Sequence, residues 1–159
     1  MFPQMRPLAS TDYVRGHFAL LSVLTVVNDL GEDAWVARFQ AMRAAPKTYY
    51  PLVIVDQVTD QIVATGTVFL ERKFIRGLGT VGHIEDIAVD KSQQGKKLGQ
   101  HIIQALTHIS ENSGCYKTIL DCDKDNVGEW TRPVRFHEVN FLRLVHRLLR
   151  KVWLREQGS

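Results

Sequence analysis

Between Val89 and Leu98 the chain reads Asp90-Lys91-Ser92-Gln93-Gln94-Gly95-Lys96-Lys97, and beyond it apolar residues recur at helical spacing. A strand that feeds a helix through such a loop brings free backbone N–H groups and the positive end of the helix dipole to one point, which suits an anion. Gly95 and Gly99 let a phosphate approach the backbone closely, and Lys96 and Lys97 add charge; the alternative is a solvated loop that contains glycines. Just upstream lie two adjacent carboxylates, Glu85 and Asp86. Neighbours in a regular strand point to opposite faces, so one of them can serve a cleft as an acid–base group while the other is solvated. Asp121, at the end of a later strand, suits either a site or the cap of a following helix. Lys73 and Arg76, taken from the chain alone, read as ordinary charges on a strand edge.

Other patterns carry less. Gly77-Leu78-Gly79-Thr80-Val81-Gly82 matches G-x-G-x-x-G, but a dinucleotide fingerprint opens a helix after a strand. Here the glycines run straight into His83-Ile84-Glu85-Asp86-Ile87, so they are expected to form a hairpin turn. Cys115 and Cys122 are too far apart for C-x-x-C chemistry and are expected to be buried structural thiols. The six histidines show no metal-ligand spacing, and no metal site is expected.

The elements that must position these groups follow from periodicity. Ser10-Thr11-Asp12 caps an expected helix with Val14, Phe18, Leu21, Leu24 and Val27 on one side. A second helix is expected from about residue 32 to 45, ended by Pro46. Strands are expected over 50–55, 62–74 and 80–89, a helix over 96–112 and a fourth strand over 115–122. The order α-α-β-β-β-α-β, with a meander followed by a helical crossover, gives an α/β (α+β) class with a mixed central sheet. At 159 residues and 45% hydrophobic content this is one compact domain. No apolar run is long enough to cross a bilayer, the start lacks a secretory pattern, and two cysteines make no disulfide framework. A cytoplasmic setting is the expectation.

The net charge of +3 invites a nucleic-acid reading. Residues 1–131, however, carry 13 Lys/Arg against 15 Asp/Glu, a net of −2, and residues 132–159 carry 7 against 2, a net of +5. The main body has no basic stripe, so binding of nucleic acid by it is not expected. The chain divides accordingly into a domain over 1–131 and a basic tail over 132–159.

Ile87-Ala88-Val89 followed by Gln94-Gly95-Lys96-Lys97-Leu98-Gly99 resembles the Q/R-x-x-G-x-G/A signature of the GNAT superfamily of N-acetyltransferases, with Lys97 where the pattern usually has its first glycine. Ala64-Thr65-Gly66, Glu71-Arg72-Lys73, Gly82 to Val89 and Gly114 to Cys122 together resemble, more specifically, the glucosamine 6-phosphate N-acetyltransferase family over about residues 8–127.

That resemblance implies acetyl transfer from acetyl-CoA to the 2-amino group of glucosamine 6-phosphate, a step towards UDP-N-acetylglucosamine. It implies a mixed sheet whose two middle parallel strands splay to admit the co-substrate, and a homodimer. Gly95, Lys96, Lys97, Leu98, Gly99 and Gln100 would bind the pyrophosphate, and Ile87, Ala88 and Val89 would line the pantetheine arm. Glu85, Asp86 and Asp121 match sugar-binding positions, while Thr25 and Lys73-Phe74-Ile75-Arg76 match positions near the sugar phosphate. A carboxylate such as Glu85, directly or through water, or Asp121 would assist loss of the ammonium proton, and strand N–H groups would stabilise the thioester oxyanion. Lys73, Arg76 and Lys117 would suit a dianionic sugar phosphate.

The resemblance stops near residue 127. The family continues with a Tyr-containing helix, whose Tyr is assigned to protonate the departing thiolate, and a closing strand; here Trp130 stands at that place and no Tyr follows Tyr116. An indole is not an acid at neutral pH. Phe141, Leu142, Val145, Leu148, Leu149 and Val152 recur at helical spacing among arginines. This tail reads as a basic amphipathic helix for a membrane surface or partner, as a helix packed on the domain, or as an ending replaced through another reading frame. Besides the active transferase, two readings stay open: an impaired module that binds acetyl-CoA or dimerises, and a GNAT enzyme acting on another amine.

Overall fold

The computed structural model describes residues 4–120. Five strands form one sheet in the order β1 (Gln4–Pro7), β2 (Tyr49–Val55), β3 (Ile62–Arg72), β4 (Thr80–Val89), β5 (Cys115–Leu120). The first three pairings are antiparallel and β4–β5 is parallel, so the sheet is mixed, as expected. The parallel step is made by α4 (Leu98–Asn112), which crosses one face; α1 (His17–Leu21) and α2 (Glu32–Ala44) serve the other face, and α3 (Ile75–Leu78) is a single turn between β3 and β4.

The α4 face holds the larger core. Leu98, Ile102, Ala105, Leu106 and Ile109 pack on Leu52, Ile54, Ala64, Val68 and Ile84. That spacing of three and four is the apolar stripe read from the sequence. The close approach rests on two glycines. A Cβ on Gly66 would lie 2.6 Å from Ile102 Cγ2 and 3.1 Å from Leu106 Cδ1, and one on Gly82 would strike the Ser110 side chain.

Two features of the amino-terminal part differ from expectation. β1 lies outside the expected elements; its four residues pair with β2 in the register Gln4↔Val55 to Pro7↔Leu52. So short a strand shows no alternation of its own, and only β2 reveals it. The long first helix is also absent, being reduced to His17–Leu21. Asp12 does not cap it. Its fully buried carboxylate takes Arg6 Nη1 and Nη2 at 2.6 and 2.7 Å, the Ala9 amide at 2.8 Å and Arg15 at 3.3 Å. Burial opposes that charge, but the Arg6 and Ala9 hydrogen bonds and the Arg6 and Arg15 charges together hold the Asp12 carboxyl below its ordinary value. Gly16 then turns left-handed at φ 79°, and Val14 and Leu24, read as core, are 65% and 47% exposed. Tertiary pairing of one carboxylate outweighed a weak helical period.

A polar chain crosses the second core. Trp35 Nε1 donates to His17 Nδ1 at 3.2 Å, His17 Nε2 lies 3.3 Å from Thr65 Oγ1, and Thr65 donates to the Leu52 carbonyl at 3.0 Å. With the indole as donor, the neutral ring carries its proton on Nε2 and passes it towards Thr65. Burial lowers the His17 pKa to about 4 from an ordinary 6.5. Protonation therefore favours the unfolded chain: the domain should lose roughly 3 kcal/mol of stability as pH falls from 6.5 towards 4. Urea unfolding across that window checks it, because His17→Gln should show a shallower slope than the wild type.

Candidate active site

The candidate cleft is built around an irregularity in β4. Against β3, Thr67 pairs with Glu85 and Thr65 with Ala88, so Gly66 faces the two residues Asp86 and Ile87. This is a β-bulge, and Asp86 supplies it with a left-handed φ of 56°. Asp is among the few residues that tolerate this conformation. The bulge resets the alternation: Ile84 and Ile87 both join the α4 core, whereas Ala88 joins the opposite one and Glu85 shares its face. The expectation that Glu85 and Asp86 point to opposite faces of a regular strand is therefore corrected. Glu85 is half-buried on the α1 side, and Asp86 is exposed at the bulge itself.

Along its other edge β4 pairs with β5 from Thr80↔Cys115 to Ile84↔Leu120. The described part of that ladder ends with Leu120, the last described residue, while β3 stays paired with β4 as far as Ala64↔Val89. Ala88 is buried, and Ile87 and Val89 are half-buried against the α4 core. Asp121, Cys122 and Trp130 and the whole tail lie outside the described residues; Cys115 is half-buried against the α4 core.

Past Val89 the loop folds as the sequence implied. Asp90 Oδ1 accepts from the Ser92 amide at 2.8 Å, a short 3-10 turn spans Lys91–Gln93, and Gly95 turns at φ 81° with open space around it. Helix bonding in α4 starts with the His101 amide on the Lys97 carbonyl at 3.1 Å. The amides ahead of it, those of Leu98 and Gly99 among them, have no acceptor within the helix, and no side chain caps this end. Leu98 and Gly99 are buried, Gln100 is half-buried, and Lys96 and Lys97 are exposed. A buried row of donors at a dipole's positive end, ringed by lysines, fits a pyrophosphate.

Lys97 is the helix's N-cap and sits at φ 60°, ψ 19°. A left-handed backbone is what a glycine adopts without strain, which explains why the signature usually has Gly there. Lys97→Gly should therefore stabilise the domain by about 0.5–1 kcal/mol and leave acetyl-CoA binding nearly unchanged, since backbone amides make the contact. Thermal unfolding with and without acetyl-CoA measures both; a variant that melts lower than wild type would contradict it.

The cations fall into two groups. Lys73 pairs with Glu71, whose other oxygen takes His83 Nε2 at 2.9 Å, and His83 stacks on Phe69 at 4.7 Å between centroids. Hydrogen bonds from Lys73 and then His83 hold the Glu71 carboxyl below its ordinary value. Arg76 and Lys117 instead each stand near the Tyr116 ring, at 5.9 and 6.0 Å from its centroid. Phe74 and Ile75 lie exposed in the same β3–β4 connection, and Thr25 is exposed in the segment after α1. That connection is the turn expected of the G-x-G-x-x-G run, with Arg76, Gly77 and Leu78 at positive φ before β4. The register shifts at Asp86 and Tyr116 are not legible in the sequence, for each depends on the pairing of two strands.

A hollow of about 430 Å³ opens at the far edge of the sheet, between β1 and α2, lined by Arg6, Thr11, Arg15, Phe39 and Arg43 among others. Arg6 and Arg15 are spent on Asp12 and Asp60, so it makes a poorer anion site than the α4 terminus. Among the described residues no group of three His, Cys, Asp or Glu is placed to hold a metal ion, and no helix is long and apolar enough to cross a membrane.

A bulged β4 that leads through a glycine loop into the start of α4 has relatives of known sequence and structure. The profile of the acetyltransferase (GNAT) family matches residues 14–138. This chain belongs to the GNAT acetyltransferase family. That match extends beyond Thr131. The domain is 42% identical over 131 residues to the glucosamine 6-phosphate N-acetyltransferase of Candida albicans, covering 80% of this chain and 87% of that protein. It is 41% identical to glucosamine 6-phosphate N-acetyltransferase 1 of Dictyostelium discoideum, covering 77% of each. Among solved structures, the glucosamine-6-phosphate N-acetyltransferase of Arabidopsis thaliana superposes with a TM-score of 0.80 at 31% identity, over 87% of this chain and 98% of that one. The GNAT fold expected of the sequence is the fold observed.

Proposed function

We propose that this GNAT domain transfers the acetyl group of acetyl-CoA to the 2-amino group of glucosamine 6-phosphate, giving N-acetylglucosamine 6-phosphate and CoA. The observation that carries the acceptor is similarity at 37–42% identity to several proteins of that name, over most of this chain. The geometry agrees with it.

Acetyl-CoA supplies an activated thioester. The α4 terminus, from Gly95 to Gln100, is suited to its pyrophosphate, and Ile87 to Val89 to its pantetheine arm. The bulge sets Gly66 against both Asp86 and Ile87, which takes β4 main chain there out of regular register with β3, and an N–H freed in this way would stabilise the oxyanion on the thioester carbonyl. The acceptor arrives as an ammonium and must lose a proton before its nitrogen attacks; Glu85, half-buried beside the bulge, is the described carboxylate best placed to take it, directly or through one water. The amine nitrogen adds to the carbonyl carbon, which places the negative charge on its oxygen, and collapse of that oxyanion breaks the C–S bond, the sulfur leaving as thiolate. Asp86, Asp121 and Thr25 complete the proposed sugar contacts, with Lys73, Phe74, Ile75, Arg76 and Lys117 around the phosphate. A homodimer and a cytoplasmic location belong to the same reading.

CoA release in the steady state, with glucosamine 6-phosphate, glucosamine and glucose 6-phosphate as acceptors, tests this. Turnover is expected with the amines only, and best with the phosphorylated one; preference for another amine would overturn the acceptor. Trp130 in place of the family's Tyr favours a second reading, an impaired module that retains the co-substrate cleft. Thermal stabilisation by acetyl-CoA without turnover would select it.

A further inference from the structure

A proton taken up by Glu85 must leave it again before the next turnover, and the same face of β4 offers a carrier. The β3–β4 register is regular from Arg72↔Thr80 to Thr67↔Glu85, so its shift begins only beyond Glu85. His83 and Glu85 therefore stand on one face, about 7 Å apart along the strand. Both are half-buried.

His83 is fixed on two sides. Its ring stacks on Phe69, the residue across from it on β3, with centroids 4.7 Å apart and planes 6° from parallel. Its Nε2 lies 2.9 Å from Glu71 Oε2, while Lys73 pairs with Oε1 of the same carboxylate. Those two partners hold the Glu71 carboxyl below its ordinary value, so near neutral pH it is ionised and only accepts. A neutral His83 ring then carries its proton on Nε2 and leaves the Nδ1 lone pair open. Nδ1 makes no hydrogen bond within the described residues. A carboxylate behind an imidazole in this way selects the tautomer and steadies the imidazolium once it forms.

The other titratable groups around this face are differently engaged. Lys73 is matched by Glu71, and Tyr49 of β2 packs on Phe69. Lys117 of β5 lies on the same face, since Thr118 beside it bonds Ser110 of α4 on the other, but an ammonium has no lone pair to offer. His17 of α1 is bonded to Trp35 and Thr65.

We infer that the Glu71–His83 pair is the onward proton path of the reaction, acting through Glu85. The acceptor ammonium gives a proton to the Glu85 carboxylate, and the resulting carboxyl gives it to His83 Nδ1, directly or through one water. The imidazolium, held by Glu71, releases it from Nδ1 to solvent. One proton leaves for each acetyl group transferred, and Glu85 regains its charge. The pair touches neither substrate; it positions a proton acceptor behind the group that does. This rests on the reaction proposed above and adds to it the route by which Glu85 is discharged.

The test uses the full chain with acetyl-CoA and glucosamine 6-phosphate at neutral pH. In Glu71→Gln, Lys73 still claims the side-chain oxygen, which turns the amide NH2 towards His83 and moves the ring's proton to Nδ1. His83→Asn removes the imidazole. Each is expected to lower kcat about tenfold or more, with both KM values within about twofold of wild type. The double variant should fall within about twofold of the slower single one, because both substitutions remove one function. The deficits should shrink towards about pH 9, where the amine arrives largely without its extra proton. A kcat equal to wild type in Glu71→Gln, a loss confined to KM, deficits that multiply in the double variant, or deficits of one size at every pH would each overturn the inference. Should His83→Asn lose its thermal unfolding transition, Glu71→Gln decides alone. Wild-type protein that acetylates another amine instead would overturn the acceptor reading only, and the same comparison then runs on that amine; no turnover with any amine would overturn both.

Discussion

Glu85→Gln is expected to lower kcat for glucosamine 6-phosphate by about a hundredfold, at the modest end of what a positioned general base contributes. The substitution keeps the size of the side chain and its place beside the bulge, where Glu85 pairs across from Thr67 on the α1 face. It removes the capacity to accept a proton. The acetyl-CoA KM should change little, because the α4 terminus and the 87–89 main chain lie further along the chain. The pH–rate profile separates this role from simple sugar binding. If Glu85 accepts the proton, its alkaline-rising limb is lost in Glu85→Gln, and rate returns only as the free amine accumulates at high pH. Turnover that matches wild type at every pH would remove Glu85 from proton transfer.

Gly82→Ala should cost about 2 kcal/mol of folding stability, seen as a fall in Tm of roughly 4–8 °C. The added methyl would strike Ser110 Oγ and lie 2.9 Å from its Cβ, which is fixed to the α4 backbone and cannot swing aside. Ser110 is itself fully buried and accepts a hydrogen bond from Thr118 at 2.7 Å. Relief therefore requires α4 to move off β4 and β5, and the same helix carries the proposed pyrophosphate site at its other end. Acetyl-CoA should then stabilise Gly82→Ala less than it stabilises the wild type. Gly82→Ala combined with Ser110→Gly should recover part of the loss, since it restores the space while sacrificing one hydrogen bond. A single variant as stable as wild type would show that the helix is not seated on that glycine.

Much of the fold was legible because local periods agreed with the tertiary outcome. The α4 stripe of Leu98, Ile102, Ala105, Leu106 and Ile109 is buried as its spacing implied. β2, β3 and β4 lie close to their expected bounds because β-branched residues dominate them and polar turns separate them. The amino-terminal helix failed where a long-range contact overruled local pattern: Asp12 serves Arg6 and Arg15 rather than a helix end. β1 was hidden because four residues carry no period, and only pairing with β2 makes them a strand.

The candidate site divides in the same way. The chain by itself determined the loop and helix terminus from Gly95 to Gln100, because glycine, lysine and helical periodicity are local signals. It also determined which carboxylates and cations were available, and that the excess charge sits after Thr131. Only the tertiary structure decided which way those groups face. One extra residue at Asp86 returns Ile87 to the α4 core and puts Ala88 on the face that Glu85 shares, and one at Tyr116 leaves that residue without a partner on β4. A bulge is a mismatch between two strands, so it belongs to a pair of segments far apart in the chain. No window of either strand alone contains it.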